Sequence, residues 1–140
     1  MKKETVKKFF EFLEKKEKKE NIVAKLITSP ESLPEGLEVK GTLWLKNIPI
    51  QSLPKGLKVG GSLWLYNTSI QSLPERLEVG ETLWIYNTPI QSLPKGLEVG
   101  GNLHLVDTPF SEKYSREEIR KMIEDRGGYI KGDIYLKKVA

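Results

Sequence analysis

The sequence predicts an α/β solenoid: four to five 20-residue coils in a stack, with a parallel sheet on one face and helices capping both ends. Three observations point there. A 20-residue unit recurs four times between Leu33 and Phe110, opening each time on Leu-Pro, at Leu33-Pro34, Leu53-Pro54, Leu73-Pro74 and Leu93-Pro94. Aliphatic residues keep that period in the columns Leu37/Leu57/Leu77/Leu97, Val39/Val59/Val79/Val99, Leu43/Leu63/Leu83/Leu103 and Leu45/Leu65/Ile85/Leu105, and Ile50, Ile70, Ile90 and Phe110 close the turns. A single coil has no second layer to bury such residues, so each must stack on its copy in the next coil. Finally, each unit holds one segment alternating with period two, such as Leu63-Trp64-Leu65. Its leucines point inward and the residue between them points outward, as in a strand.

The chain divides into an N-terminal helical cap (1–30), the four repeats (31–110) and a C-terminal helix with a degenerate fifth strand (111–140), all in one domain. In the first part Val6, Phe9, Phe10 and Leu13 fall at i, i+3, i+4 and i+7, one helical face. Glu4–Lys8 and Glu11–Lys15 add favourable i,i+4 pairs, so a helix is expected from about Lys3 to Glu20. A second apolar patch, Ile22, Val23, Leu26 and Ile27, is expected to pack on the first coil before Pro30. A solenoid end exposes a raw apolar cross-section, which makes a cap necessary.

Within the repeats, Lys40 aligns with Gly60, Gly80 and Gly100, and Glu81 aligns with Gly41, Gly61 and Gly101. These glycines are therefore expected to relieve crowding at a bend rather than to supply a glycine-only conformation. Arg76 stands where the Pro-Lys-Gly turn has glycine, which suggests a tolerant turn.

After Phe110 the repeat stops. Ser115 opens a capping box with Glu118; Ile119, Met122 and Ile123 supply an apolar stripe, and Gly127 is placed as a helix stop. The stretch Ile130–Leu136 then matches Val39–Leu45 position for position, at an interval of 31 residues from His104 to Tyr135 instead of 20. It is expected to be a fifth strand segment, with Lys137 and Lys138 discouraging further pairing.

The pattern Leu-x-Leu-x-x-Thr/Asn-x-Ile-x-x-Leu-Pro resembles the short bacterial form of the leucine-rich repeat. The run Val59-Gly60-Gly61-Ser62-Leu63-Trp64-Leu65 is similar to a Val-Gly-Gly-x-Leu-x-Leu variant of bacterial and phage proteins. The resemblance covers roughly Glu31 to Phe110 and implies a leucine-rich-repeat-like stack that binds other proteins, with a bacterial or phage origin. Thr68, Thr88 and Thr108 stand where that family has asparagine, one residue after Asn67, Asn87 and Asp107. Some bacterial effectors of this type carry a cysteine-dependent ubiquitin ligase; this chain has no cysteine, so that activity does not carry over.

Without cysteine, disulfides and thiolate metal sites are excluded. No run approaches the roughly 18 apolar residues of a membrane span, and no signal-peptide pattern opens the sequence, so a cytoplasmic protein without membrane contact is expected. The net charge of +4 sits entirely in residues 1–25, which hold nine lysines against five acids, and the remainder is neutral. Interleaved acids weaken the case for a membrane- or nucleic-acid-binding helix there.

The outward residues form columns. The central one is Trp44, Trp64, Trp84, His104 and Tyr135; beside it run Lys46, Tyr66, Tyr86 and Val106, and on the other side Thr42, Ser62, Thr82, Asn102 and Asp133. Four strand spacings make a ridge about 19 Å long. Exposed aromatic strips on repeat proteins are interaction surfaces, and the candidate binding residues are Trp44, Lys46, Trp64, Tyr66, Trp84, Tyr86, His104 and Tyr135. The expected function is protein binding without catalysis, metal or cofactor, as an inhibitor or adaptor of a host protein. The alternatives are a carbohydrate surface with Asn102, Asp133 and the threonines bonding hydroxyls, a single-stranded nucleic-acid surface, self-association, or a ladder that only stabilises the sheet. The nucleic-acid reading ranks low because Lys46 is the ridge's one basic residue. His104, the lone histidine, has Asp107 near in sequence and Asp133 expected diagonally across, but no nucleophile is placed by spacing.

Overall fold

A computed structural model describes residues 22–28 and 32–136. It is a parallel β-solenoid whose strands recur at 20-residue spacing. Each coil contributes a two-residue strand, β1 (Glu38–Val39), β3 (Lys58–Val59), β5 (Glu78–Val79) and β7 (Glu98–Val99), followed by a four-residue strand, β2 (Leu43–Lys46), β4 (Leu63–Tyr66), β6 (Leu83–Tyr86) and β8 (Leu103–Val106). Two further strands, β9 (Tyr129–Ile130) and β10 (Ile134–Tyr135), follow at the longer interval. They form two parallel sheets, β1-β3-β5-β7-β9 and β2-β4-β6-β8-β10. The single sheet expected on one face is thus corrected to two, and the repeats contain strands where an α/β solenoid would carry helices. Val39, Val59, Val79 and Val99 explain this: each is buried on the second sheet and pairs with its copy.

Between the sheets the aliphatic columns form one core. Leu45, Leu63, Leu65, Leu83, Ile85, Leu103 and Leu105 are fully buried. The pairing Leu43↔Leu63↔Leu83↔Leu103↔Ile134 sets the register, with Trp44, Trp64, Trp84, His104 and Tyr135 in register beside it. The match of Ile130–Leu136 to the repeat strand therefore corresponds to real pairing at the 31-residue step.

Among the described residues the α-helices lie at the two ends of the repeats, α2 starting on the last two residues of the fourth. Residues 22–28 are helical (α1); Leu26 is buried and Ile22 and Val23 pack on the core, whereas Ile27, expected to pack with them, is 42% exposed. The helix expected from about Lys3 to Glu20 and the pair Lys137 and Lys138 lie outside the described residues. Helix α2 (Pro109–Lys113) escaped the sequence reading. Thr108 is its N-cap, accepting from the Ser111 amide at 3.1 Å, and Pro109 begins it. Helix α3 (Arg116–Asp125) has the anticipated capping box, with Glu118 N–H donating to Ser115 Oγ and Ser115 N–H to Glu118 Oε1, both at 3.1 Å. Gly127, at φ 81°, ends it: its N–H donates to the Glu124 carbonyl and that of Gly128 to Ile123, the Schellman arrangement. Arg120 ties α3 to the last strands, donating to the carbonyls of Ile130 and Gly132 at 2.7 Å each.

The turn opening each coil is not tolerant of every residue. Gly36, Gly56, Arg76 and Gly96 all hold φ between 58° and 73°. That conformation lets each N–H reach the following coil, as Gly56 to Glu75 O at 2.9 Å and Arg76 to Lys95 O at 2.8 Å. A left-handed backbone costs a residue with a Cβ about 1–2 kcal/mol, partly offset by glycine's freedom when unfolded. Arg76→Gly is therefore expected to raise stability by about 0.5–1 kcal/mol in urea unfolding; a loss would mean that the arginine side chain contributes more than its backbone strain removes.

Candidate functional site

The strand pattern that buries the leucines projects five rings to the opposite side, and the parallel register sets each ring on the next. Trp44 stacks on Trp64 with centroids 4.6 Å apart, Trp64 on Trp84 at 4.3 Å, Trp84 on His104 at 3.7 Å and His104 on Tyr135 at 4.6 Å, with interplanar angles from 4° to 18°. These separations fall below the roughly 4.8 Å between neighbouring strands, so the rings lean together on this side. Stacked pairs contribute about 0.5–1.5 kcal/mol each beyond the area they bury. The ladder therefore stabilises the sheet, whatever else it does.

The faces of the inner rings are used up by this stacking. Trp64, Trp84 and His104 are half-buried and offer solvent mainly their edges, while the end rings Trp44 and Tyr135 are 60% and 40% exposed. Tyr66 and Tyr86 flank the ladder, tilted by 42° at 5.9 Å, and the Lys46 ammonium sits 5.5 Å from the centre of the Tyr66 ring. The structure thus brings Trp44, Lys46, Trp64, Tyr66, Trp84, Tyr86, His104 and Tyr135 onto one surface. Val106, expected to continue the Lys46/Tyr66/Tyr86 column, is instead buried.

The polar column is a second ladder. Ser62 N–H donates to Thr42 Oγ1 at 3.3 Å, Thr82 N–H to Ser62 Oγ at 3.2 Å, Asn102 N–H to Thr82 Oγ1 at 3.4 Å and Asp133 N–H to Asn102 Oδ1 at 2.8 Å. Each of these side-chain oxygens gives one lone pair to a backbone amide of the next coil.

A third ladder edges the same sheet. Asn47, Asn67, Asn87 and Asp107 hold φ of 49–55°, which Asn and Asp tolerate better than other side chains. Asn67 Nδ2 donates to Asn47 Oδ1 at 2.7 Å and Asn87 Nδ2 to Asn67 Oδ1 at 3.0 Å. The sequence carries that signal, an asparagine after β2, β4 and β6 and an aspartate after β8, the last three one residue before the threonines. The hydroxyls of Thr68 and Thr88 are buried with no hydrogen-bond partner among the described residues, whereas Thr108 caps α2.

Burial among the rings holds the His104 imidazole below its ordinary pKa of 6.5. Among the described residues neither Asp107 nor Asp133 makes a hydrogen bond or ion pair with it. Because the unfolded chain takes up the proton more readily, stability is full above about pH 6.5 and falls as the pH drops below it. His104→Trp is expected to remove that part of the pH dependence: the gap between the unfolding midpoints of the two proteins should change between pH 7.5 and 5.5, and a constant gap would refute the coupling.

Among the described residues, no group of three or more His, Cys, Asp or Glu side chains is placed to hold a metal ion, and no helix is long and apolar enough to cross a membrane. The chain matches no protein-family model, no curated protein and no solved structure.

Proposed function

We propose that this chain is a non-enzymatic protein-binding module that receives its partner along the edges of the aromatic ladder and the flanking Tyr66 and Tyr86. The observation that carries this reading is the stacking of Trp64, Trp84 and His104, whose faces cover one another. Sugars and unpaired bases bind aromatic residues by stacking on faces, and three of the five rings have none to offer. A strip of ring edges and phenols suits a protein surface, where aromatic residues dominate the energetics.

The finer features belong to the same proposal: a leucine-rich repeat of the short 20-residue type, four to five coils, caps formed by residues 1–30 and 111–140 around repeats at 31–110, and a cytoplasmic bacterial or phage inhibitor or adaptor of a host protein. The pairing of β10 with β8 and the burial of Leu26, Ile119 and Ile123 support the coils and caps.

The test is capture from host lysate by the wild-type chain, by Tyr66→Ser/Tyr86→Ser and by Trp64→Ala/Trp84→Ala, with unfolding midpoints measured for all three. The tyrosine pair keeps the four contacts along the ladder but removes those of Tyr86 with Trp84 and His104, so it is expected to lose the partner with a smaller fall in midpoint than the tryptophan pair. The tryptophan pair loses the partner too. A partner held equally well by the tyrosine variant would leave the ladder with a structural role alone.

A further inference from the structure

Strand β2 ends its sheet. The amides of Leu43 and Asn47 donate toward β4, to the carbonyls of Ser62 and Tyr66, at 2.9 Å each. Backbone groups alternate along a strand, so those of Trp44 and Lys46 face the opposite edge. Among the described residues no strand pairs there. The side chains on that edge repeat, in outline, what every other strand of the sheet meets. Trp44 stacks one face on Trp64 and, among the described residues, has no ring on its other face. Lys46 is exposed two residues further on. Leu43 and Leu45 are 7% and 0% exposed, already closed over in a core that includes Leu26 of α1.

We propose that the outer edge of β2 takes an extended peptide as an added parallel strand. The peptide carries an aromatic residue that stacks on the free face of Trp44, an acidic residue two positions later beside Lys46, and small residues opposite Leu43 and Leu45. Each requirement comes from one residue of the edge. The ring continues a ladder whose every rung is aromatic. The acid meets the ammonium of Lys46. The small residues follow because the inward positions have no room for a second layer of leucines. Main-chain bonds to a sheet edge supply affinity and the alternating side chains supply specificity.

A second copy of this chain fits that edge poorly. Its C-terminal strand would bring Tyr135 to Trp44, but the sequence then places Lys137 opposite Lys46, and Ile134 and Leu136 where small residues are needed. Like charges directly opposed weaken strand pairing. This inference rests on the protein-binding reading and gives that reading a partner chemistry, at a place separate from the ring edges.

The test titrates the full chain with the capped hexapeptide acetyl-Thr-Ala-Tyr-Ala-Glu-Thr-amide and reads tryptophan fluorescence. Saturable binding in the micromolar to millimolar range is expected, weakened about tenfold in the Trp44→Ala variant or when the peptide's Tyr becomes Ala. Lys46→Glu should weaken it roughly threefold, and a peptide with Lys in place of Glu should recover that loss on the variant. Absence of saturation, or equal binding by Trp44→Ala, overturns the proposal. So does a wild-type dimer that Trp44→Ala dissolves, since a second copy would then fill the edge, and so does binding that appears only after residues 1–20 are deleted. A lysate partner lost in Tyr66→Ser/Tyr86→Ser without any peptide binding would sink the edge proposal and leave the ring-edge reading standing. Peptide binding without such a partner would do the reverse.

Discussion

Leu63→Ala is expected to cost about 2–5 kcal/mol. Leu63 is fully buried on β4, between Leu43 of β2 and Leu83 of β6. Truncation opens a cavity that touches both neighbours. In a linear stack each coil is held chiefly by the next one, so the loss weakens two interfaces together and is expected to broaden the transition as the halves of the stack come apart separately. Urea unfolding followed by circular dichroism measures both effects. A cost under about 1 kcal/mol would be that of a surface leucine and would contradict the observed register.

Gly80→Ala is expected to cost about 1–3 kcal/mol for a different reason. A Cβ at Gly80 falls on the carbonyl oxygen of Gly60, and one at Gly100 falls on that of Gly80. The contact is close because the Gly80 amide donates to Val59 O at 2.8 Å, drawing adjacent coils together. Gly36→Ala is the control. Nothing lies within 4 Å of its Cβ position, but its φ is 73°, so only the strain of about 1 kcal/mol applies. Combining Gly80→Ala with Gly60→Ala should add little relief, because the obstacle is backbone. Equal losses at positions 36 and 80 would mean that close backbone approach is not what selects glycine.

The columns of Leu43, Leu63, Leu83 and Leu103 were legible in the sequence because a fixed period leaves identical residues no alternative but to stack. The strand matched through Ile134 and Tyr135 was legible for the same reason, even across a longer step. Burial at Val39, Val59, Val79 and Val99 was legible too, but their second sheet was not: two-residue strands are too short for period-two alternation to show. Arg76 misled because sequence comparison reports which residues occur at a turn, not what backbone they adopt, and an arginine can be held at positive φ when its N–H gains a partner in the next coil. Helix α2 is five residues long, below the reach of periodicity, and only Thr108-Pro109 announced it. For the candidate surface, the ring column was readable by residue number. That the rings cover one another's faces was not, since alternation says which side a ring lies on but not whether it stacks. Alternation places Thr42, Ser62, Thr82 and Asn102 beside the rings but does not show that their side chains bond the backbone of the next coil.

The amide ladder gives the stack a direction. Asn67 and Asn87 each donate to the asparagine of the preceding coil, and the Asn67 oxygen accepts from the following one. Any number of identical units could be threaded into such a chain of donors and acceptors, because each arrives with one hydrogen to give and one lone pair to receive it. Asp107 breaks that sequence: its carboxylate has no hydrogen to pass back to Asn87. The series is therefore open to lengthening or shortening by whole 20-residue units in its interior, while its C-terminal boundary is written into the side chain that declines to donate.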